Sequence, residues 1–179
     1  VLYRYYDRRY QALFGNAFSQ GSTVQNEQGV YMGLQLTPIA RWKLSVYADL
    51  FRFPWLKYGI DAPSGGQEYM AQIDYTPSRN YSAYLRYKYR QKEKNGIYEN
   101  DNLLRINPYK QHRIRFQQVY NFSSPFIFKT SLDGILFDDP IKKLNKGIMI
   151  SQSIGWKPTT LPLQIDGYLA WFHTDDYNS

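Results

Sequence analysis

The chain has 179 residues, a formal net charge of +7 and no cysteine. Its length fits one domain or part of a larger one, and the lack of cysteine excludes a disulfide framework and a cysteine-based metal site. The 18 Tyr, 10 Phe and 4 Trp favour strands over helices, and no apolar run reaches the roughly 18 residues that a transmembrane helix needs.

Apolar and polar side chains alternate along most of the chain. Alternation predicts β-strands, because successive side chains of a strand point to opposite faces. Nine strands are predicted in chain order, at 1–6, 30–37, 42–50, 69–76, 81–90, 113–122, 126–136, 148–157 and 163–172. Helical spacing fits none of these segments as well.

The connections between the predicted strands alternate in length. Short turns marked by proline lie at 36–42, 75–81, 122–126 and 156–163, and longer links lie at 7–28, 54–66, 91–111 and 138–146. The prolines are unevenly spaced, which indicates a meander and not an array of fixed period. Short turns at one end and long loops at the other are typical of outer-membrane barrels.

We therefore predict an all-β fold, an antiparallel up-and-down transmembrane β-barrel, with residues 1–179 forming a single barrel segment. The sequence begins at Val1 without a visible leader and stops at Ser179 inside an expected loop. An outer-membrane protein needs a signal peptide. We expect the chain to be a segment of a larger barrel.

Alternation alone leaves open which face points inwards. A soluble lipocalin-like barrel has apolar residues inside, whereas a membrane barrel has them outside. The membrane barrel is favoured because the strands are long enough to cross a bilayer, the apolar face carries almost no charge and aromatic rings collect at the strand ends. The predicted aromatic girdle consists of Trp42, Tyr75, Tyr81, Phe122, Phe126, Trp156 and Trp171.

Four stretches carry a narrower resemblance: 5–10 (YYDRRY), 15–19 (GNAFS), 26–29 (NEQG) and 47–59 (YADLFRFPWLKYG). Nearly the whole chain resembles outer-membrane β-barrel proteins of Gram-negative bacteria. The four stretches resemble a barrel family of Bacteroidetes whose members carry a helix-hairpin-helix segment before the barrel, a segment that this chain lacks. The resemblance implies a bacterial outer-membrane location and brings no catalytic residues.

A basic cluster is the strongest candidate site. Its members are Arg86, Lys88, Arg90, Arg113 and Arg115, which share one face of two consecutive predicted strands. On a lumen wall they attract anionic solutes, because Arg grips oxyanions bidentately. The alternatives are a charge ladder paired with Asp49, Asp74, Asp133 and Asp166, or a basic strip against lipopolysaccharide near the loop end.

Two loops hold aromatic residues of interest. The first long link carries Tyr10, Leu13, Phe14 and Phe18, and it predicts either a constriction folded into the lumen or an extracellular flap. The second carries residues 55–58 (WLKY), whose rings either stack on sugars or belong to an interface belt followed by a flexible turn.

Signals for catalysis and cofactors are poor. His112 and His173 have no identifiable partner, and residues 99–102 lack the spacing of a Ca²⁺ loop. We expect no enzyme activity, no metal and no cofactor, and nucleic acid has only net charge in its favour. The expected function is solute passage through a polar, weakly anion-favouring lumen; the alternatives are a non-transport barrel that anchors or assembles envelope proteins, and a soluble ligand-binding barrel. The expected partners are outer-membrane lipids, anionic solutes or lipopolysaccharide, and other envelope proteins.

Overall fold

The computed structural model describes residues 1–11, 18–21, 23–97, 104–122, 125–139, 144–158 and 162–175. Its strands are β1 (Leu2–Tyr6), β2 (Glu27–Ile39), β3 (Trp42–Phe53), β4 (Ser64–Ser78), β5 (Tyr81–Ile97), β6 (Leu104–Asn121), β7 (Phe126–Asp138), β8 (Asn145–Trp156) and β9 (Ile165–Thr174).

The nine strands form one antiparallel sheet in which each strand pairs with its neighbours in sequence. This confirms the predicted all-β, up-and-down meander of nine strands. The sheet is not closed within the described ranges, since β1 and β9 lie at its two edges. No described helix is long and apolar enough to cross a membrane.

The link predicted at 91–111 is wrong for most of its length. Strands β5 and β6 pair from Tyr81↔Tyr120 as far as Ile97↔Leu104, so most of the predicted loop is an extended hairpin. Beyond residue 90 the side chains of both faces are largely polar, and the alternation disappears although the backbone pairing continues. Pro108 fits into β6 because β7 begins its pairing with β6 only at Lys110, which leaves the strand edge at Pro108 without a described second neighbour.

The prolines of the first two short turns lie in irregular strand ends. The β2–β3 register shifts between Leu36 and Ile39, around Pro38, and the β4–β5 register shifts between Tyr75 and Ser78, around Pro77. Proline has no N–H for the ladder and is tolerated where pairing is interrupted. Both hairpins therefore end in a two-residue turn that follows a proline-containing bulge.

The strands are staggered in a regular way. Apolar residues pair from strand to strand along one row, which consists of Leu36, Leu44, Ile73, Leu85, Phe116, Leu132, Ile150 and Trp171. Within this row, Leu44 lies two residues after the start of β3, Leu85 four after the start of β5, and Leu132 six after the start of β7. A shift of about one residue per strand corresponds to a tilt of roughly 35°, given a rise of about 3.4 Å and a strand spacing of about 4.8 Å.

The two faces of the sheet differ in chemistry and in burial. The apolar face contains the row above, and its side chains are exposed, as at Leu85 (48%) and Ile150 (43%). The opposite, polar face contains charged and hydroxyl groups that are buried, as at Asp49 (1%), Glu68 (3%) and Ser151 (7%). Side chains crowd on the concave side of a single curved sheet, and we infer that the polar face is concave.

Gly66 in β4 is needed for close packing at the loop end of the polar face. A Cβ atom there would lie 2.5 Å from the Phe51 ring and 2.6 Å from the Gln91 carbonyl oxygen. We expect Gly66→Ala to lower the free energy of unfolding by about 1–3 kcal/mol, the usual cost of overpacking, in urea titrations followed by circular dichroism. Gly134→Ala is the control, because its nearest neighbour would be 4.0 Å away. Equal stability of the two variants would contradict this packing.

Candidate functional site on the polar face

The basic residues of β5 and β6 lie opposite one another. Arg86 pairs in register with Arg115, Lys88 pairs with Arg113, and Arg90 pairs with Gln111. Cross-strand partners point to the same face. The structure thus brings all five predicted cations together on the middle of the polar face.

Two carboxylates neutralise part of this cluster. Glu68 on β4 forms ion pairs with Lys88 at 2.7 Å and with Arg90 at 2.5 Å, and Asp133 on β7 forms an ion pair with Arg115. Glu68 is also the acceptor for the Tyr47 hydroxyl at 2.5 Å. These pairs fix three of the five cations on the wall.

The other two cations of the cluster have no carboxylate partner within the part of the chain that the structure describes. Arg86 donates from Nε to the amide oxygen of Gln72 at 2.6 Å, and its guanidinium lies 5.2 Å from the centre of the Tyr84 ring. Arg113 lines a cavity of about 410 Å³ together with Met149 and Phe172. Positive charge therefore remains on this wall.

The charge-ladder alternative accounts for part of this face. Of the four aspartates proposed as partners, Asp133 binds a member of the cluster. Asp49 binds Arg4, Asp74 lies 3.7 Å from Lys43, and Asp166 accepts from the Gln164 amide. The sequence pattern missed Glu68, because its position falls before the predicted start of the fourth strand.

A second charged group on the polar face is more deeply buried. The Arg4 guanidinium donates to Glu27 at 2.6 Å and bidentately to Asp49 at 2.7 and 3.1 Å. The three side chains are 4%, 0% and 1% exposed, respectively. Gly29 leaves room for the guanidinium, since a Cβ atom there would lie 2.6 Å from the Arg4 Cζ. Sequence reasoning missed this group, which joins three different strands.

Residues 18–21 lie on top of this buried group. The backbone N–H groups of Gln20 and Gly21 and the Ser19 hydroxyl donate to the Glu27 carboxylate, and the Gln20 side chain donates to Asp49 at 2.8 Å. The Phe18 ring contacts the Tyr31 ring edge-on at 5.1 Å. This segment of the first link therefore rests on the concave face.

The other residues proposed for a constriction have different positions. Tyr10 stacks on Tyr6 with ring centres 6.1 Å apart. Leu13 and Phe14 lie outside the described residues. Of the two described residues, Tyr10 and Phe18, Phe18 contacts a strand residue of the polar face beyond β1.

A cavity of about 590 Å³ lies at the loop end of the polar face. Its lining includes residues 56–60 of the loop between β3 and β4, and residues 92–94 and Tyr109 of the extended hairpin. Asn26 anchors the loop: its side chain accepts from the Trp55 N–H at 2.9 Å and donates to the Trp55 carbonyl at 2.7 Å. A tight turn between Lys57 and Ile60, with Gly59 at φ +78°, brings Lys57 back over the cavity.

Two lysines of this cavity are partly desolvated. Lys57 lies 3.6 Å above the Phe53 ring, and burial lowers its pKa. Lys92 lies in the extended hairpin, past the point on β5 where the apolar face ends. Its ammonium group donates to the Gln20 carbonyl at 2.9 Å. Burial, followed by the charges of Arg90 and Lys57, lowers the pKa of Lys92 to about 8. A lowered pKa means that the surroundings of the two ammonium groups disfavour their charged form.

The predicted girdle aromatics with described side chains lie on the apolar face. The rings of Trp42 and Tyr75 are 4.4 Å apart, and Phe126 pairs in register with Trp156. Tyr81 pairs in register with Tyr120, whose ring meets that of Phe122 at 4.5 Å. These residues follow the turn end of the strands. Trp171 lies three residues before the end of β9, on the loop side, and is 59% exposed.

The two histidines differ in their neighbours. The Tyr87 hydroxyl lies 2.8 Å from His112 Nδ1, and His173 lies 3.9 Å from an Asp175 oxygen. No group of three His, Cys, Asp or Glu side chains suited to a metal ion occurs within the described ranges.

The comparisons with known proteins identify no relative. No protein-family model matches the chain, and comparisons with curated proteins and with solved structures find no match either.

Proposed function

We propose that this chain forms part of the wall of a β-barrel in the bacterial outer membrane, and that the barrel passes solutes through a polar lumen that favours anions. One observation carries the proposal: the sheet buries charge on its concave face and exposes apolar side chains on the other. A water-soluble barrel needs the opposite arrangement, since apolar side chains are stabilised away from water. A barrel in lipid requires the arrangement found in this chain.

The dimensions of the apolar face support a membrane location. On β5 it extends from Tyr81 to Tyr89, and on β6 it extends from His112 to Phe122, the residue that follows the strand. Spans of this length match the about 9–11 residues that a tilted strand needs to cross a bilayer. The tilt inferred from the stagger, roughly 35°, lies in the range for outer-membrane barrels.

The ends of the apolar face also fit a bilayer. The row Tyr69, Tyr89 and His112 lies towards the loops, and the aromatic residues Tyr81, Tyr120 and Phe122 lie towards the turns. Rings with an apolar body and a polar tip are stabilised at the interface between lipid and water. In the orientation usual for such barrels, the turns are periplasmic and the loops extracellular.

The preference for anions rests on Arg86 and Arg113. Both lie on the concave face without a described carboxylate partner, between cations that Glu68 and Asp133 hold in place. Unneutralised guanidinium groups on a pore wall raise the local concentration of anions. Outer-membrane lipids, anionic solutes or lipopolysaccharide, and other envelope proteins are the proposed partners.

Conductance in planar bilayers tests this function. In a KCl gradient, we expect a reversal potential that indicates chloride preference, and we expect the double variant Arg86→Gln and Arg113→Gln to lose most of that preference. Arg79→Gln is the control, because Arg79 is an exposed cation in the turn between β4 and β5 and not on the polar face of a strand. A reconstituted protein that conducts nothing would overturn the pore and favour a barrel that anchors envelope proteins. An unchanged reversal potential in the double variant would overturn the role of the two arginines.

A further inference from the structure

We propose that the cavity at the loop end of the polar face binds an acidic sugar, a saccharide ring that carries a carboxylate. Its volume of about 590 Å³ lies within the range of about 300–1,000 Å³ that is usual for small-molecule sites. The inference goes beyond solute passage and holds whether or not the protein conducts ions.

The anionic part of the ligand is indicated by two lysines of the cavity that form no ion pair with a described carboxylate. No carboxylate among the described residues forms an ion pair with Lys57 or with Lys92. Lys57 rests on the Phe53 ring, and Lys92 donates a hydrogen bond to the Gln20 carbonyl oxygen. Partly buried ammonium groups without an ion-pair partner are unfavourable, and a ligand carboxylate placed between them offsets that cost.

The other charged groups of the cavity each have a hydrogen-bond or ion-pair partner in the protein. Glu93, its acidic member, accepts the Gly65 N–H at 2.7 Å. Lys94 forms an ion pair with Asp139, which is 2% exposed. Lys57 and Lys92 are therefore the two cations of the lining that form no ion pair with a described carboxylate.

The sugar ring is indicated by the remaining lining of the cavity. Tyr58 is fully exposed at its edge, and Tyr109 lies within it with its ring 5.4 Å from that of Phe137. Thr23 and Gln25 add a hydroxyl and an amide. Tyrosine faces pack on the C–H side of a sugar, and hydroxyl and amide groups exchange hydrogen bonds with its hydroxyls.

The site is held in place independently of any ligand. Asn26 fastens one side of the loop at Trp55, and Asp61 and Asn95 join the other side to the extended hairpin through two hydrogen bonds of 3.0 and 3.3 Å. A loop fixed in this way has less conformational entropy to lose on binding.

Calorimetric titration of the detergent-solubilised protein with glucuronate, glucose and inorganic phosphate tests the proposal. We expect saturable binding of glucuronate that is at least about tenfold tighter than that of glucose or phosphate, because the site recognises both the ring and the charge. We expect Lys57→Gln and Lys92→Gln each to weaken glucuronate binding by about tenfold or more, the usual effect of losing one charged hydrogen bond.

Lys129→Gln is the matched control and is expected to bind glucuronate as the unaltered protein does. Urea titration of each variant checks that it is folded. Absence of saturable glucuronate binding, equal binding of glucose or phosphate, or lysine variants that bind normally would each overturn the assignment. None of these outcomes bears on conductance, so failure of this site is distinguishable from failure of the pore.

Discussion

Replacement of Arg4 by alanine is expected to lower the free energy of unfolding by about 3–5 kcal/mol, the usual cost of leaving a buried charge without its partner. Glu27 and Asp49 are 0% and 1% exposed, and the Arg4 guanidinium is their common cation. Its removal leaves two carboxylates close together and away from water. Urea unfolding from lipid vesicles, followed by tryptophan fluorescence, measures the loss.

Two further variants separate charge from packing in the Arg4 group. Lys129→Ala removes an exposed cation of the same face and is expected to change stability by less than about 0.5 kcal/mol. The triple variant Arg4→Met, Glu27→Gln and Asp49→Asn removes all three charges and is expected to recover much of the loss, since buried ion pairs contribute little net stability over neutral groups. If Arg4→Ala costs no more than Lys129→Ala, the group is not buried in the way described above.

Replacement of Ile150 by arginine is expected to destabilise the protein in lipid by about 2–4 kcal/mol, the cost of a cation on the lipid face near the bilayer midplane. Ile150 lies on the apolar face of β8 and is 43% exposed. If this face met water, an arginine at an exposed position would change stability by only about 0.5 kcal/mol or less. The substitution therefore separates a membrane barrel from a soluble one.

Met149→Arg is the matched control for Ile150→Arg. Met149 is the preceding residue and points to the polar face, where its cross-strand partner is Asp133. A cation there lies in an open polar cavity lined by Asp133 and by Arg113, where its charge stays hydrated, and we expect a change of about 1 kcal/mol or less. Both variants are measured by urea unfolding from vesicles of the same lipid. If Ile150→Arg costs as little as Met149→Arg, the apolar face does not contact lipid.

Much of the sheet was predictable from residue alternation. The pattern of Trp42, Leu44 and Val46 against Lys43 and Ser45 predicted β3 from its first residue, because one buried or lipid-facing side imposes a period of two on a strand. The same periodicity predicted that Arg86 and Lys88 share a face. It failed at 91–111, where neither face is apolar and the pattern carries no signal.

The candidate sites depended more strongly on tertiary structure. The Arg4 group consists of side chains from β1, β2 and β3. Its geometry depends on the pairing register between these strands, which the sequence of a single strand does not specify. The loop-end cavity depends on Asn26, which precedes β2. Its side chain donates to the backbone carbonyl of Trp55, which follows β3. Contacts of this kind have no periodic signature in sequence.

The sequence by itself determined that the chain forms nine antiparallel strands in a meander, because alternation and turn residues are local properties that each segment expresses independently. It also determined which side chains lie on the same face of a strand. Only the tertiary structure decided that the charged face is the buried one, because the stagger of the strands and the placement of residues 18–21 arise from packing between strands. Burial of the charged face and exposure of the apolar face support the proposal that this sheet is part of a barrel wall in lipid.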